Sequence, residues 1–189
     1  MDKLRIEVSA RHAHLTQQDL EILFGEGYQL KAEKDLSQPE QFASADVITL
    51  VGPKGSIEKV RVLGPCRINS QIEISITDSY TLGVKTPVRL SGKIIGSGAI
   101  KLVGSAGELE LKEGLIVAKR HIHASLEQAQ EFGLTDNQTV KVSIPGPRAT
   151  TFDEVEVRVH EDFELSMHID TDEANAAGVT SELEGEIII

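Results

Sequence analysis

The sequence predicts a mainly β protein, built as two tandem small β-barrels with short helices and internally duplicated. Three observations carry this. From residue 46 onward the apolar residues fall in short alternating runs, punctuated by Gly52-Pro53-Lys54-Gly55, Gly64-Pro65 and isolated glycines. The run Val8-Ser9-Ala10-Arg11-His12-Ala13-His14 matches Val117-Ala118-Lys119-Arg120-His121-Ile122-His123. A second register aligns Ile57-Glu58-Lys59-Val60-Arg61-Val62 with Phe152-Asp153-Glu154-Val155-Glu156-Val157. It sets Glu73 opposite His168, Thr77-Asp78 opposite Asp172-Glu173, and Gly83 opposite Gly178. The expected division gives 1–84, with 85–114 as connection or completion, to the first barrel. The second barrel takes 115–189.

In order along the chain, residues 4–10 read as a strand. Thr16 reads as a helix N-cap with Asp19 at the third helical position, and Leu20, Leu23 and Phe24 give the helical spacing. Residues 31–45 are polar and read as a loop. Strands are expected at 47–51, 57–63 and 71–76, the last with Ile72, Ile74 and Ile76 on one face and Gln71, Glu73 and Ser75 on the other. Further strands are expected at 86–90, 94–95, 99–103, 108–111 and 115–123. Ser125 caps a short helix that stops at Gly133. Strands follow at 139–144, 155–159 and 163–169, then a polar helix at 171–177 stopped by Gly178. Residues 187–189 form a closing strand.

Composition excludes several function classes. Aromatic residues are 4% of the chain and Trp is absent, which leaves little with which to stack single-stranded nucleic acid. A net charge of −11 opposes a broad phosphate-backbone footprint. No apolar run approaches membrane-spanning length. The single cysteine, Cys66, excludes an intrachain disulfide and fits a reducing compartment. The first residues lead straight into strand-like sequence, so no secretory signal is expected.

The chemistry concentrates in the repeated Arg-His-x-His. Residues at i and i+2 of a strand share a face, so His12 with His14, and His121 with His123, present paired imidazoles. Glu73 and His168 occupy equivalent positions in the two halves. These six groups suit two zinc-like ions, each with three protein ligands and open positions. The residues alone leave open that the histidines are duplicated structural groups. Arg67, after the Gly64-Pro65 turn, suits bidentate clamping of phosphate or carboxylate, with a surface ion pair as the alternative. Lys54, Lys59, Arg61, Arg67, Arg89 and Lys93 form a basic cluster in sequence that suits a polyanionic ligand. Cys66 reads as a small packed thiol, because no local motif marks it as a nucleophile.

The sequence resembles the phosphate propanoyltransferases, or PduL-type phosphotransacylases, over nearly its whole length. The resemblance rests on Ser9-Ala10-Arg11-His12-Ala13-His14-Leu15, Lys34-Asp35-Leu36-Ser37-Gln38-Pro39, Val60-Arg61-Val62-Leu63-Gly64-Pro65, Gln71-Ile72-Glu73-Ile74-Ser75, Pro87-Val88-Arg89 and Arg120-His121-Ile122-His123. The most specific run is Met167-His168-Ile169-Asp170-Thr171-Asp172-Glu173-Ala174-Asn175-Ala176-Ala177-Gly178. It implies reversible transfer of a short acyl group, propanoyl or acetyl, between coenzyme A and inorganic phosphate. It also implies a homodimer and two zinc ions per chain. One ion would be bound by Glu73, His121 and His123, and the other by His12, His14 and His168. Arg67 would hold phosphate and the backbone near Ser91 would lie at the active site, with Arg89 and Lys54 as candidate coenzyme A contacts. Leu90 stands where many members carry an acidic residue. The amphipathic extension of microcompartment members is missing ahead of the first strand, so a free cytoplasmic location is expected. A zinc-dependent thioester hydrolase and a zinc-stabilised binding module are the alternative functions.

Overall fold

The computed structural model describes residues 3–180 and 183–189. In the first part of the chain β1 (Lys3–Val8) and β2 (His12–His14) lead into α1 (Gln17–Phe24). Then come β3 (Ala32–Asp35), β4 (Phe42–Val51), β5 (Ser56–Gly64), β6 (Gln71–Ile74), α2 (Ile76–Leu82), β7 (Val88–Arg89), β8 (Gly98–Val103) and β9 (Glu108–Ala118). The remainder supplies β10 (His121–Ala124), α3 (Leu126–Glu131), β11 (Thr139–Ile144), β12 (Thr150–Val159), β13 (Ser166–Ile169), α4 (Thr171–Ala177) and β14 (Leu183–Ile188). Among the described residues no helix is long and apolar enough to cross a membrane.

The strands close two rings. One runs β1-β13-β10-β12-β11-β14 and returns to β1. The other runs β9-β6-β2-β5-β4-β8 and returns to β9, with β3 and β7 added on β4 and β9. Taken in this order, each neighbouring pair has the same orientation in both rings. Thus β1 and β13 are parallel, as are β9 and β6, while β13 and β10 are antiparallel, as are β6 and β2. The duplication read from the sequence is therefore a duplication of topology. Closure leaves no exposed edge within either ring. Each ring buries its own core: Leu4, Ile122, Val142, Val157 and Met167 in one, Ala13, Ile48, Val62, Ile72 and Leu115 in the other.

Local detail repeats as well. Lys59 and Glu154, paired by the sequence register, are both non-glycine residues in the left-handed region, at φ 57° and 53°. Each sits where the ladder with the neighbouring strand slips, so both are bulges that tighten the strand's bend. Ser75 and Asp170 close capping boxes on α2 and α4, using Asp78 and Glu173. Gly83 and Gly178 end those helices at φ 73° and 70°, where a side chain would be strained.

The two compact units are Met1–Ala10 with Lys119–Ile189, and Arg11–Ala118. The strand that opens each repeat is used in the ring of the other repeat. Ile6–Val8 pair with Met167–Ile169, and Leu115–Val117 pair with Ile72–Ile74. An apolar strand carries the same pattern whichever ring it joins, so the alignment alone could not show this exchange.

Smaller differences have local causes. The expected loop at 31–45 contains β3 and the start of β4, because its polar residues lie on an exposed strand. The strand expected to reach residue 76 stops at Ile74, where the Ser75 cap starts α2. Residues 94–95 lie in a turn with Ile95 almost fully exposed. The strands expected at 108–111 and 115–123 are joined at their start into one long β9, with β10 beginning afresh at His121.

Candidate functional site

In the Arg11–Ala118 unit, β2 lies between β5 and β6, and its register sets His12 directly against Glu73. Antiparallel neighbours in register have adjacent side chains. One ligand atom from each of His12, His14 and Glu73 lies within 4.8 Å of the others, and all three residues are buried. His12 Nε2 is 3.6 Å from Glu73 Oε2. Burial, then the charges of His12 and Arg67, hold the His14 imidazole well below its usual pKa, against the opposing pull of Glu73. It is therefore neutral, with a lone pair to offer. His14 Nδ1 is buried with no hydrogen-bond partner, an arrangement that costs about 1–3 kcal/mol unless something binds there. For Glu73, burial opposes ionisation. The charge of His12 and hydrogen bonds from His12 and Ser91 outweigh it, so the carboxyl stays below the usual carboxylate range. Two neutral-capable imidazoles and a carboxylate, one nitrogen unsatisfied, fit a zinc-like cation.

Polar groups converge beside this set. Gln71, two residues before Glu73 and on its face of β6, donates from Nε2 to Glu73 Oε1 at 2.6 Å and to Ser91 Oγ at 2.9 Å. The Gly92 N–H donates to Gln71 Oε1 at 2.7 Å. Arg67 Nη1 donates to Ser91 Oγ at 3.2 Å, and the Arg67 backbone N–H donates to Leu15 O at 2.8 Å. Arg67 and Ser91 thus meet. Arg89, on exposed β7, donates to the neighbouring Val88 carbonyl. Lys54 lies in the β4–β5 turn, its stem next to Gly83 at the end of α2. Arg61 from the basic cluster is engaged by Glu33 and the Ser44 carbonyl.

In the other unit, β10 and β13 bring His121 opposite His168. The His121, His123 and His168 rings lie with centroids 4.7, 4.9 and 5.2 Å apart. His121 Nδ1 is 2.8 Å from the Lys119 carbonyl. A carbonyl only accepts, so Nδ1 carries the proton and Nε2 keeps its lone pair, the usual way a metal-binding histidine is oriented. His168 Nε2 lies 3.0 Å from Ser166 Oγ, and His123 packs on Phe163 at 4.1 Å. The three imidazoles are close neighbours, while the group of described residues whose ligand atoms converge within 4.8 Å is His12, His14 and Glu73.

Within each unit, strand register therefore groups these residues differently from the crossed ligand sets that the resemblance implies. Glu73 sits with His12 and His14, and His168 sits with His121 and His123. Strand register dictates it, because each third residue is on the strand hydrogen-bonded to its own His-x-His strand. What passes from one half to the other is the strand that opens each repeat.

The arginine of each Arg-His-x-His has a structural task that sequence reading missed. Arg11 binds Asp78 through Nε at 2.9 Å and Nη2 at 2.7 Å, and Arg120 Nη1 binds Glu173 at 2.8 Å. Both acids are the capping-box residues of the helix that follows Glu73 or His168. Each clamp ties the start of the His-x-His strand to the end of its partner strand. The sequence signal was the register that paired Asp78 with Glu173. Arg11→Ala should destabilise by about 1–2 kcal/mol, discounted because the guanidinium is partly exposed. Lys101→Ala, which breaks an exposed pair with Glu108, should stay within about 0.5 kcal/mol. Denaturant unfolding of the two variants checks the contrast.

A family model described as phosphate propanoyltransferase matches residues 5–180. A protein of Clostridioides difficile (strain 630) named phosphate propanoyltransferase is 49% identical over 185 residues, 98% of this chain and 88% of the relative. One of that name from Thermotoga maritima is 52% identical over 173 residues, 91% of this chain and 82% of the relative. A third, from Leptotrichia buccalis, is 50% identical over 186 residues, 98% and 88% of the two chains.

Proposed function

The chain belongs to the phosphate propanoyltransferase family and is an acyltransferase, and on that premise we propose that it moves a propanoyl or acetyl group between coenzyme A and inorganic phosphate by direct attack. The observation that carries this reading is the meeting of Arg67 and Ser91 beside Glu73, His12 and His14. An arginine fork with a neighbouring hydroxyl suits a tetrahedral dianion. Arg67 would orient phosphate and offset its charge. A phosphate oxygen then forms a bond to the acyl carbon while the carbon–sulfur bond breaks, and coenzyme A leaves as thiolate and takes up a proton. Zinc held by His12, His14 and Glu73, with a second ion held by His121, His123 and His168, would supply Lewis-acid polarisation of the thioester and a soft partner for the thiolate.

The route through Cys66 has less support. Burial pushes the Cys66 thiol pKa up, and its Sγ lies 3.6 Å from Gln17 Oε1. A nucleophilic cysteine needs the opposite, a stabilised thiolate. Lys54 and Arg89 are carried as coenzyme A contacts on the resemblance alone, as is the homodimer. The cytoplasmic setting is supported by the resemblance and by the lone cysteine.

The test follows free thiol released from propanoyl-coenzyme A as phosphate is titrated, with and without a chelator. The reading expects release that saturates with phosphate, is lost on chelation and returns with zinc. Loss of folding on chelation, monitored by circular dichroism, would favour the binding-module alternative.

A further inference from the structure

The densest polar junction in the Arg11–Ala118 unit is the side chain of Gln71, which is almost fully buried. The hydrogens of its amide can be accounted for. Glu73 Oε1 only accepts, and the Gly92 N–H only donates, so the Gln71 amide has one permitted orientation. Its two Nε2 hydrogens go to Glu73 and to Ser91 Oγ. The Ser91 oxygen accepts from both Gln71 and Arg67. Glu73 is left with Oε2 towards His12. From these contacts we infer that Gln71 is a positioning residue: it locks the Glu73 carboxylate, the Ser91-Gly92 backbone and the Arg67 guanidinium into one rigid unit, so that the phosphate-holding pair is aimed relative to the His12-His14-Glu73 set.

The inference rests on the proposed acyl transfer and deepens it. Gln71 touches neither phosphate nor thioester in this account; it acts through Ser91 and Glu73. Replacing a residue that orients the groups around a metal set commonly costs 10- to 100-fold in activity or affinity. Here the loss should fall on phosphate. Gln71→Leu keeps similar volume and removes all three hydrogen bonds. Gln71→Glu keeps the shape but brings a second carboxylate beside Glu73 and has no N–H for Ser91.

Steady-state kinetics on the zinc-loaded full chain test it, with phosphate and propanoyl-coenzyme A varied separately and unfolding temperature recorded. Both variants should raise KM for phosphate by about 10-fold or more while KM for propanoyl-coenzyme A stays within about 2-fold. Ser91→Ala should do likewise. The Gln71→Leu/Ser91→Ala double variant should lose little more than the worse single one, because both break the same chain of bonds. An unchanged KM for phosphate in Gln71→Glu would overturn the inference, as would equal losses for both substrates or losses that add in the double variant. If the wild type itself shows no phosphate dependence, the acyl-transfer reading fails first, and Gln71 with it.

Discussion

Arg67→Ala should abolish phosphate-dependent thiol release and leave metal content intact. Arg67 is the guanidinium that meets Ser91, and its backbone is fixed by Leu15. It also depresses the His14 pKa, so its charge reaches the His12-His14-Glu73 set. Removing a preorganised charge of this kind costs on the order of 10²–10³-fold in rate. Arg67→Lys should recover only part, since an ammonium keeps the charge but loses the planar fork. Because no ligand atom is removed, zinc measured by elemental analysis should match the wild type. Near-normal phosphate kinetics in Arg67→Ala would show that another group holds phosphate.

The second large effect concerns which residues share an ion. On the proposed grouping of one ion within each unit, His12→Ala/Glu73→Ala damages one set twice and should retain about one of two zinc ions. His12→Ala/His168→Ala damages both sets and should retain almost none. The crossed arrangement implied by family resemblance gives the reverse pattern: the first double variant would lose both ions and the second would keep one. Elemental analysis of the two purified proteins therefore separates the groupings without any activity measurement. The expected activity loss is near complete in both.

Much of the fold was legible because duplication left the same physical devices in both halves. The pairing of Lys59 with Glu154, of Asp78 with Glu173 and of Gly83 with Gly178 was read as register alone. The structure explains each pair as a matched bulge, capping acid or left-handed helix end. The helix at Ile76–Leu82 was missed although Ser75, Asp78 and Gly83 spell its cap and stop, because the alternation of Ile72, Ile74 and Ile76 dominated. The strand exchange was invisible, since an apolar strand does not encode its ring. The candidate metal-binding residues stood out from their spacing. Which of them are neighbours within a unit was not legible, because it depends on which strands hydrogen-bond. Gln71 was seen only as a neighbour of Glu73. Its role needs the loop of Ser91-Gly92 folded over it.

Identification of the product tests the central claim most directly. Wild-type protein incubated with propanoyl-coenzyme A and phosphate should yield propanoyl phosphate, one for each thiol released, and none when phosphate is omitted. Propanoate formed at the same rate with and without phosphate would contradict the account and leave a zinc-dependent thioester hydrolase in its place.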